Sequence, residues 1–220
     1  MLLAGIVGQE DVMETVSLIN SILSAKGKRI SVADSAGLTV NDVRILRNYM
    51  RELEKNRTDM LLLKLNVGSL DKLLYNGIYF DIMIFTGNTD ITCSADSCEK
   101  DGFFDISQKL QGFMGDKGIT IVNVDDKKLI STLEGKLQHV VTYGFNSKAS
   151  ITTSSTMDNL LDGSFMLCLQ KSIPARNGLV MEPQEYKLKL APDEYEAHNI
   201  LAAVSFAIVN GIDPNNFGYT

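Results

Sequence analysis

Apolar and polar residues alternate in blocks from the N-terminus to Gly144, and the blocks predict a regular succession of strands and helices. Apolar runs with the length of buried strands occur at 2–7, 29–33, 60–65, 79–86, 118–123 and 139–144. Between them, apolar residues spaced by three or four predict helices at 12–23, 40–53, 70–74, 106–114 and 125–133. Continuous apolar strands suit a mostly parallel sheet that helices cover on both faces. The pattern therefore predicts a three-layer α/β domain.

After Gly144 the apolar segments become shorter. Those at 149–154, 164–169, 178–181 and 186–190 are separated by Gly, Pro and Asn, so they predict antiparallel hairpins, a small β appendage over about 145–191. Pro192 opens a last predicted helix, and Gly211 ends it. Its expected buried stripe is Ala197, Leu201, Val204, Ser205 and Ile208. We interpret residues 1–220 as one domain, because no repeat or linker interrupts them.

Composition excludes several classes of function. The hydrophobic fraction of 45% and the net charge of −6 are typical of a globular protein, and no basic run favours nucleic acid or an anionic membrane. No apolar run has the length of a membrane-spanning helix, so we expect a cytoplasmic protein. The spacing of the three cysteines fits neither a disulfide framework nor a CxxC metal or redox pair, so we expect Cys93, Cys98 and Cys168 to be free thiols. With only His139 and His198 as histidines, we expect no metal site.

The segment after the first predicted strand resembles a phosphate-binding loop whose functional positions are replaced. It reads Gly8-Gln9-Glu10-Asp11-Val12-Met13, so Val12 and Met13 stand where such a loop has its lysine and its magnesium-binding hydroxyl. Glu10 and Asp11 place carboxylates where a helix N-terminus meets an anion, and like charges repel by roughly 4 kcal/mol at about 4 Å and an effective dielectric near 20. Alternatively, the acids only complement the helix dipole in an ordinary βα turn.

Five short motifs carry a family resemblance. They are Gly5-Ile-Val-Gly8, Phe80-Asp-Ile-Met-Ile-Phe-Thr86, Val122-Asn-Val-Asp-Asp126, Val141-Thr-Tyr-Gly144 and His198-Asn-Ile-Leu-Ala-Ala203. In sequence and order they resemble G-[IV]-T-G, F-D-x-x-[VI]-F-T, I-N-A-D-D, V-T-Y-G and Y-N-A-L-A-A of the central ATP-binding domain of the Mur ligases and folylpolyglutamate synthetases. The resemblance covers nearly the whole chain and implies a P-loop-like α/β fold. Members of this family activate a carboxylate as an acyl phosphate with ATP and Mg²⁺, and an amine then attacks it.

The resemblance implies a role for individual positions. The family's metal-binding glutamate on the third strand aligns with Lys64, and its histidine after the fourth strand aligns with Thr92. Lys109 lies about where many members carry a carbamylated lysine that helps to hold magnesium. The positions that border the adenosine are matched by Asn123, Asp125, Asp126 and Asn199.

Each of these residues also has a purely structural interpretation. Lys109 would then be a solvated helix residue, Asp125 the cap of a helix and Asn199 a buried polar contact. Lys64 lies among four leucines and needs a partner for its charge, so we expect an ion pair with Glu10 or Asp11. The alternative is that Lys64 extends to solvent from the end of its strand.

We therefore expect a Mur-ligase-like central domain with a dismantled ATP and magnesium site, a non-catalytic binding or assembly module related to cell-wall precursor metabolism. No cofactor is expected. The first alternative is an ATP-dependent carboxylate–amine ligase that a partner chain completes, with ATP and Mg²⁺ as cofactors and Lys64 and Lys109 neutralising phosphoryl charge. The second is a small-molecule binder that uses the loops at Gly8, Thr86 and Asn123. We expect no counterpart of the family's N-terminal substrate domain and C-terminal domain, and the sequence leaves partners and oligomeric state open.

Overall fold

The computed structural model describes residues 1–8, 12–35, 42–65, 73, 77–87, 112–133, 139–154, 164–189 and 195–217. Its helices are α1 (Val12–Ser24), α2 (Asp42–Lys55), α3 (Lys127–Leu133) and α4 (Ala197–Val209), and a 3₁₀ turn follows at Pro214–Asn216. Its first six strands are β1 (Leu2–Val7), β2 (Ile30–Asp34), β3 (Met60–Leu65), β4 (Phe80–Phe85), β5 (Met114–Asn123) and β6 (Val140–Tyr143). The others are β7 (Ile151–Thr153), β8 (Ser164–Leu169), β9 (Ile173–Pro174), β10 (Val180–Met181) and β11 (Gln184–Lys189).

Nine of the described strands form one sheet, in the spatial order β11-β8-β7-β6-β5-β4-β1-β3-β2. Neighbouring strands from β2 to β7 are parallel. β8 is antiparallel to both β7 and β11, and β9 and β10 form a separate antiparallel pair. The predicted fold class, a mostly parallel α/β sheet with a small antiparallel part, is confirmed. The structure adds that β8 and β11 extend the main sheet, whereas the β9–β10 pair stands apart.

The alternation of side chains along the strands divides the core into two halves. Ala4 and Ile6 of β1 belong to a cluster with the apolar residues of α1 and α4. Leu3 and Val7 belong to a second cluster with the apolar residues of α2 and α3. Because successive strand residues point to opposite faces, an apolar run such as β1 supplies both clusters at once. The three-layer arrangement follows from this pattern.

Helix α4 is the most deeply buried helix among the described residues. All of its residues except His198 are buried, and they include the predicted stripe from Ala197 to Ile208. A helix that is apolar on every side has to be enclosed, and α4 packs against both α1 and the sheet. The exception, His198, lies in its first turn near the end of β5.

Two predicted boundaries are wrong. Met114 was expected to end a helix, but it begins β5, because a bulge opposite Phe80 of β4 lengthens this strand before Ile119. The last helix begins at Ala197 rather than at Pro192, because the preceding Glu196 has extended backbone angles. The starts predicted for the second helix and most of the helices at 70–74 and 106–114 lie outside the described residues.

Candidate functional site

Strand β1 lies at the topological switch point of the sheet, where the strand order reverses. From β1 the chain passes to β2 and β3 on one side and then crosses to β4, β5 and β6 on the other. In open α/β sheets, ligands bind outside the carboxyl ends of the strands at such a switch point. We call this region the carboxyl edge. It comprises the strand-end residues Gly8, Asp34, Lys64, Thr86, Asn123 and Tyr143.

The first turn of α1 borders the carboxyl edge and holds two positions that the sequence singled out. Val12, at the lysine position of a phosphate-binding loop, is 0% exposed, whereas Met13, at the hydroxyl position, is 55% exposed. Neither side chain donates a hydrogen bond to a phosphate or offers Mg²⁺ an oxygen ligand. Gln9, Glu10 and Asp11 lie outside the described residues, so their effect on an anion stays a prediction.

Thr86 covers the end of β1. Its backbone N–H donates to the Val7 carbonyl at 3.0 Å, and its hydroxyl donates to the same oxygen at 3.4 Å. A Cβ added at Gly8 would overlap the Thr86 hydroxyl and lie 2.6 Å from Val12 Cγ2. The end of β4 and the first turn of α1 therefore approach each other as closely as they do only because residue 8 is glycine.

Lys64 forms an ion pair across the strands. It lies beside Asp34 of β2 in the parallel register, and its ammonium is 3.5 Å from the Asp34 carboxylate. The two side chains are 32% and 51% exposed, so the pair contributes about 1 kcal/mol or less. Asp34 is a partner that the sequence did not reveal. Glu10 and Asp11, the expected partners, lie outside the described residues, and pairing with them stays a prediction.

Asn123 shapes the end of β5. It is 7% exposed, and its Oδ1 accepts a hydrogen bond from the Asp125 N–H at 2.9 Å, which forms an Asx turn. A Cβ added at Gly87 would lie 3.0 Å from Asn123 Nδ2, so the loop after β4 packs against this amide. The loops at Gly8, Thr86 and Asn123 thus lie side by side, as the small-molecule alternative requires.

Asp126, not Asp125, caps α3. Its carboxylate accepts the Leu129 N–H at 3.0 Å, which is the bond expected of an N-cap residue. The expectation that Asp125 caps this helix is wrong, because the Asp125 carboxylate turns toward the segment after β6.

Asp125 connects three parts of the fold. Its carboxylate accepts the Phe145 N–H at 2.7 Å and the Asn146 N–H at 3.1 Å, and it lies 3.0 Å from His198 Nε2. The His198 ring also packs on Phe145, with centroids 4.3 Å apart and planes tilted by 58°. Bonds to a carboxylate are stronger than those between neutral groups. Asp125 therefore joins the end of β5 to the turn after β6 and to the first turn of α4.

Asn199 uses its amide to join α4 to α1. Its Oδ1 accepts the Thr15 hydroxyl at 2.9 Å, and its Nδ2 donates to Glu14 Oε2 at 2.8 Å. Asn199 is 4% exposed and Thr15 is 0% exposed. Both ends of this amide thus have partners within the protein, as the structural interpretation of Asn199 expects.

Tyr143 is buried at the carboxyl edge and connects the ends of two strands. Its hydroxyl donates to the Phe85 carbonyl at 3.1 Å, which links the ends of β6 and β4. Burial raises the pKa of Tyr143 far above its usual value, and the negative charges of Asp125 and Asp126 raise it further. The phenol therefore stays neutral and acts as a structural hydrogen-bond donor.

The structure brings Asp125 and Asn199 to neighbouring places, because His198 and Asn199 are consecutive on α4. Lys109 lies outside the described residues, so its role stays a prediction. The sequence alone does not reveal the five partners of this cluster, which are Glu14, Thr15, Phe145, Asn146 and His198. One signal in the sequence could have pointed to His198, namely its position next to Asn199 in the same motif.

In the described part of the chain, no three His, Cys, Asp or Glu side chains converge as a metal site would require. Nor is any helix there both long and apolar enough to cross a membrane.

Comparison with protein families gives one match. The model described as "Mur ligase middle domain" matches residues 15–207, a range that begins after the loop at Gly8. Comparison with curated proteins gives no match.

Three solved structures are similar in fold. A UDP-N-acetylmuramoyl-L-alanyl-D-glutamate–2,6-diaminopimelate ligase has a TM-score of 0.69 and 16% identity, over 98% of this chain and 44% of that one. The ligand-free bifunctional folylpolyglutamate synthase/dihydrofolate synthase from Yersinia pestis has a TM-score of 0.63 and 11% identity, over 98% and 56%. For the Mycobacterium tuberculosis folylpolyglutamate synthase complexed with ADP the values are 0.54 and 14%, over 96% and 55%. The chain spans about half the length of these proteins.

Proposed function

Because the chain belongs to the Mur ligase middle domain family, we propose that it is a member without ligase activity, which serves as a binding or assembly module related to cell-wall precursor metabolism. The family resemblance in the sequence motifs is confirmed by the match over residues 15–207. The lack of catalysis, the degenerate loop, the absence of a bound cofactor and a cytoplasmic location all belong to the proposal.

The ion pair between Lys64 and Asp34 is the observation that carries it. The resemblance places the family's metal-binding glutamate at position 64, where this chain has an ammonium 3.5 Å from a carboxylate. A cation at that position repels Mg²⁺. Its ion pair also engages the Asp34 carboxylate of the neighbouring strand. Phosphoryl transfer depends on the metal to neutralise developing charge, so the exchange removes a central catalytic component.

Two further observations support the proposal. The side chain at the loop's lysine position, Val12, is completely buried, so no ammonium extends from that residue toward a phosphate. The amide of Asn199 and the carboxylate of Asp125 are held by groups of the protein itself. A nucleoside would have to compete with these bonds.

The experiment is an amide-formation assay with the isolated protein. The substrates are those named for the solved ligase of similar fold, UDP-N-acetylmuramoyl-L-alanyl-D-glutamate and 2,6-diaminopimelate, with Mg²⁺ and ATP. We expect no ligated product and no release of phosphate that depends on both substrates. Product formation by the isolated chain would overturn the proposal.

The alternative is a ligase component that a partner chain completes. The partly exposed Asp125–His198 pair favours it, because it keeps polar groups at the carboxyl end of β5, where the family binds its nucleotide. Under this alternative Lys64 neutralises phosphoryl charge, so a purified complex with the partner would form amide, and Lys64→Gln would abolish that activity. Under our proposal the complex forms no amide, and Lys64→Gln changes nothing in the assay.

A further inference from the structure

A cleft of about 420 Å³ opens at the amino edge of the sheet, opposite the carboxyl edge. It lies between the beginnings of β5 and β6 and the residues 174–176 around the end of β9. Its floor consists of Ile119, Val141 and Ala175, which are 9%, 7% and 7% exposed. The cleft and the carboxyl edge lie toward opposite ends of strands β5 and β6. The cleft is therefore distinct from the family's nucleotide region.

Basic side chains line the rim of the cleft. They are Lys117, His139 and Arg176. Arg176 is fixed, since its guanidinium donates to the Asp81 carboxylate at 2.9 Å and to the Lys117 carbonyl at 3.4 Å. Lys117 and His139 are exposed, and neither forms an ion pair with any of the described residues. The charge of Lys117 is therefore available to a ligand.

This arrangement contrasts with the rest of the molecule. The protein as a whole carries a net charge of −6, yet this cleft combines an apolar floor with a basic rim. Ligand sites are typically concave and mostly apolar, with a few polar groups that fix orientation, and their volumes run from roughly 300 to 1,000 Å³. An organic anion fits both parts of the cleft. Its apolar body is removed from water when it packs against Ile119 and Val141, and its charged head group pairs with Lys117.

We propose that the cleft binds a small organic carboxylate with an aromatic or branched aliphatic body, and that Lys117 is the ligand of its carboxylate group. Arg176 shapes the wall, but its ion pair with Asp81 offsets its charge and keeps it from turning to the ligand, so Lys117 supplies the free positive charge. The site requires neither ATP nor a partner chain, so it stands whether or not the carboxyl edge is catalytic.

The test is an NMR titration of the isotope-labelled protein with 2-naphthoate, and in parallel with 2-naphthamide, which has the same body without the charge. We expect saturable shifts of the amides of Ile119, Val140 and Val141, with a Kd of roughly 1 mM or lower for so small a ligand. Lys117→Gln is expected to weaken naphthoate binding about tenfold, as the loss of one charge-assisted hydrogen bond implies. 2-Naphthamide should bind the wild type about tenfold more weakly for the same reason.

Two variants complete the design. Lys117→Glu should abolish saturable binding through repulsion, and because the side chain is exposed its thermal unfolding should match that of the wild type. Lys26→Gln removes an exposed lysine after α1, outside the cleft, and should leave the Kd unchanged. Shifts outside the cleft, equal affinity for naphthoate and naphthamide, an unchanged Kd in Lys117→Gln, or no saturable binding would each overturn the proposal.

Discussion

The Thr15 hydroxyl of α1 donates a hydrogen bond to Asn199 Oδ1 of α4 at 2.9 Å, and both side chains are buried. The same asparagine donates to Glu14 at 2.8 Å, so one amide fastens the two helices that cover one face of the sheet. The family resemblance placed Asn199 beside a nucleoside. In this chain its bonding capacity serves the packing of α1 against α4.

Replacement of Asn199 should therefore destabilise the fold. Asn199→Ala leaves the buried Thr15 hydroxyl without its acceptor, which we expect to cost about 1–3 kcal/mol in the free energy of unfolding. A double-mutant cycle with Thr15→Val, measured by urea unfolding, should give a coupling energy of about 1 kcal/mol. Ser17→Ala, an exposed change on the same helix, is the control and should have little effect. Additive effects of the two buried changes would show that this hydrogen bond contributes nothing.

Gly8→Ala tests the close packing at the end of β1. The added methyl group would overlap the Thr86 hydroxyl, so we expect a loss of about 1–3 kcal/mol in thermal or urea unfolding. Thr86→Ala in the same chain should recover part of that loss, because it removes the overlapping oxygen. Gly115→Ala is the matched control, since a Cβ there meets nothing within 4 Å. Equal stability of Gly8→Ala and Gly115→Ala would contradict the account.

The Lys64–Asp34 pair should respond to charge reversal. Lys64→Glu places two carboxylates side by side, and we expect a loss of about 1 kcal/mol, which is small because both groups are partly exposed. Combining it with Asp34→Lys should restore part of the stability, and the effect should shrink as salt screens the charges. Urea unfolding at low and high ionic strength measures both effects. A loss that neither the second reversal nor salt reduces would mean that Lys64 acts through packing alone.

Tyr143 predicts a specific dependence of stability on alkaline pH. Its raised pKa in the folded protein means that the neutral phenol stabilises the fold fully below the unfolded pKa of about 10, and that this contribution declines as pH rises above it. Between about pH 9 and pH 11 the wild type should lose stability faster than Tyr143→Phe, by at most about 1.4 kcal/mol per pH unit. Tyr79→Phe, at a position that is 59% exposed, should follow the wild type. Parallel curves for the wild type and Tyr143→Phe would refute the prediction.

Local patterns in the sequence were sufficient to predict the fold class. The apolar runs that became β1, β3 and β4 supply both halves of the core, and Gly27 ends the first helical segment with a φ of +71°. The boundary at Met114 was not predictable in the same way. A helix pattern and a bulged strand both leave its side chain partly buried, and the choice depends on pairing with β4, far away in the sequence.

The partners of the candidate residues were less predictable than the residues themselves. Asp34 meets Lys64 because β2 pairs with β3, and no local pattern records which strands become neighbours. His198 was assigned no role, since a lone histidine in a helix has many uses. Its contact with Asp125 arises only when the start of α4 reaches the end of β5. Such contacts between distant segments are determined by topology rather than by residue type.

Calorimetric titration with ATP and Mg²⁺ tests the central claim, that the carboxyl edge of this chain has lost its nucleotide site. The wild type and the double variant Val12→Lys/Met13→Thr are compared, with thermal unfolding as the check that both are folded. We predict no binding heat for either, because Lys64 still stands at the position of the metal-binding glutamate in the variant. Wild-type binding with a micromolar Kd, about −8 kcal/mol, would contradict the account and direct the search to an acceptor substrate.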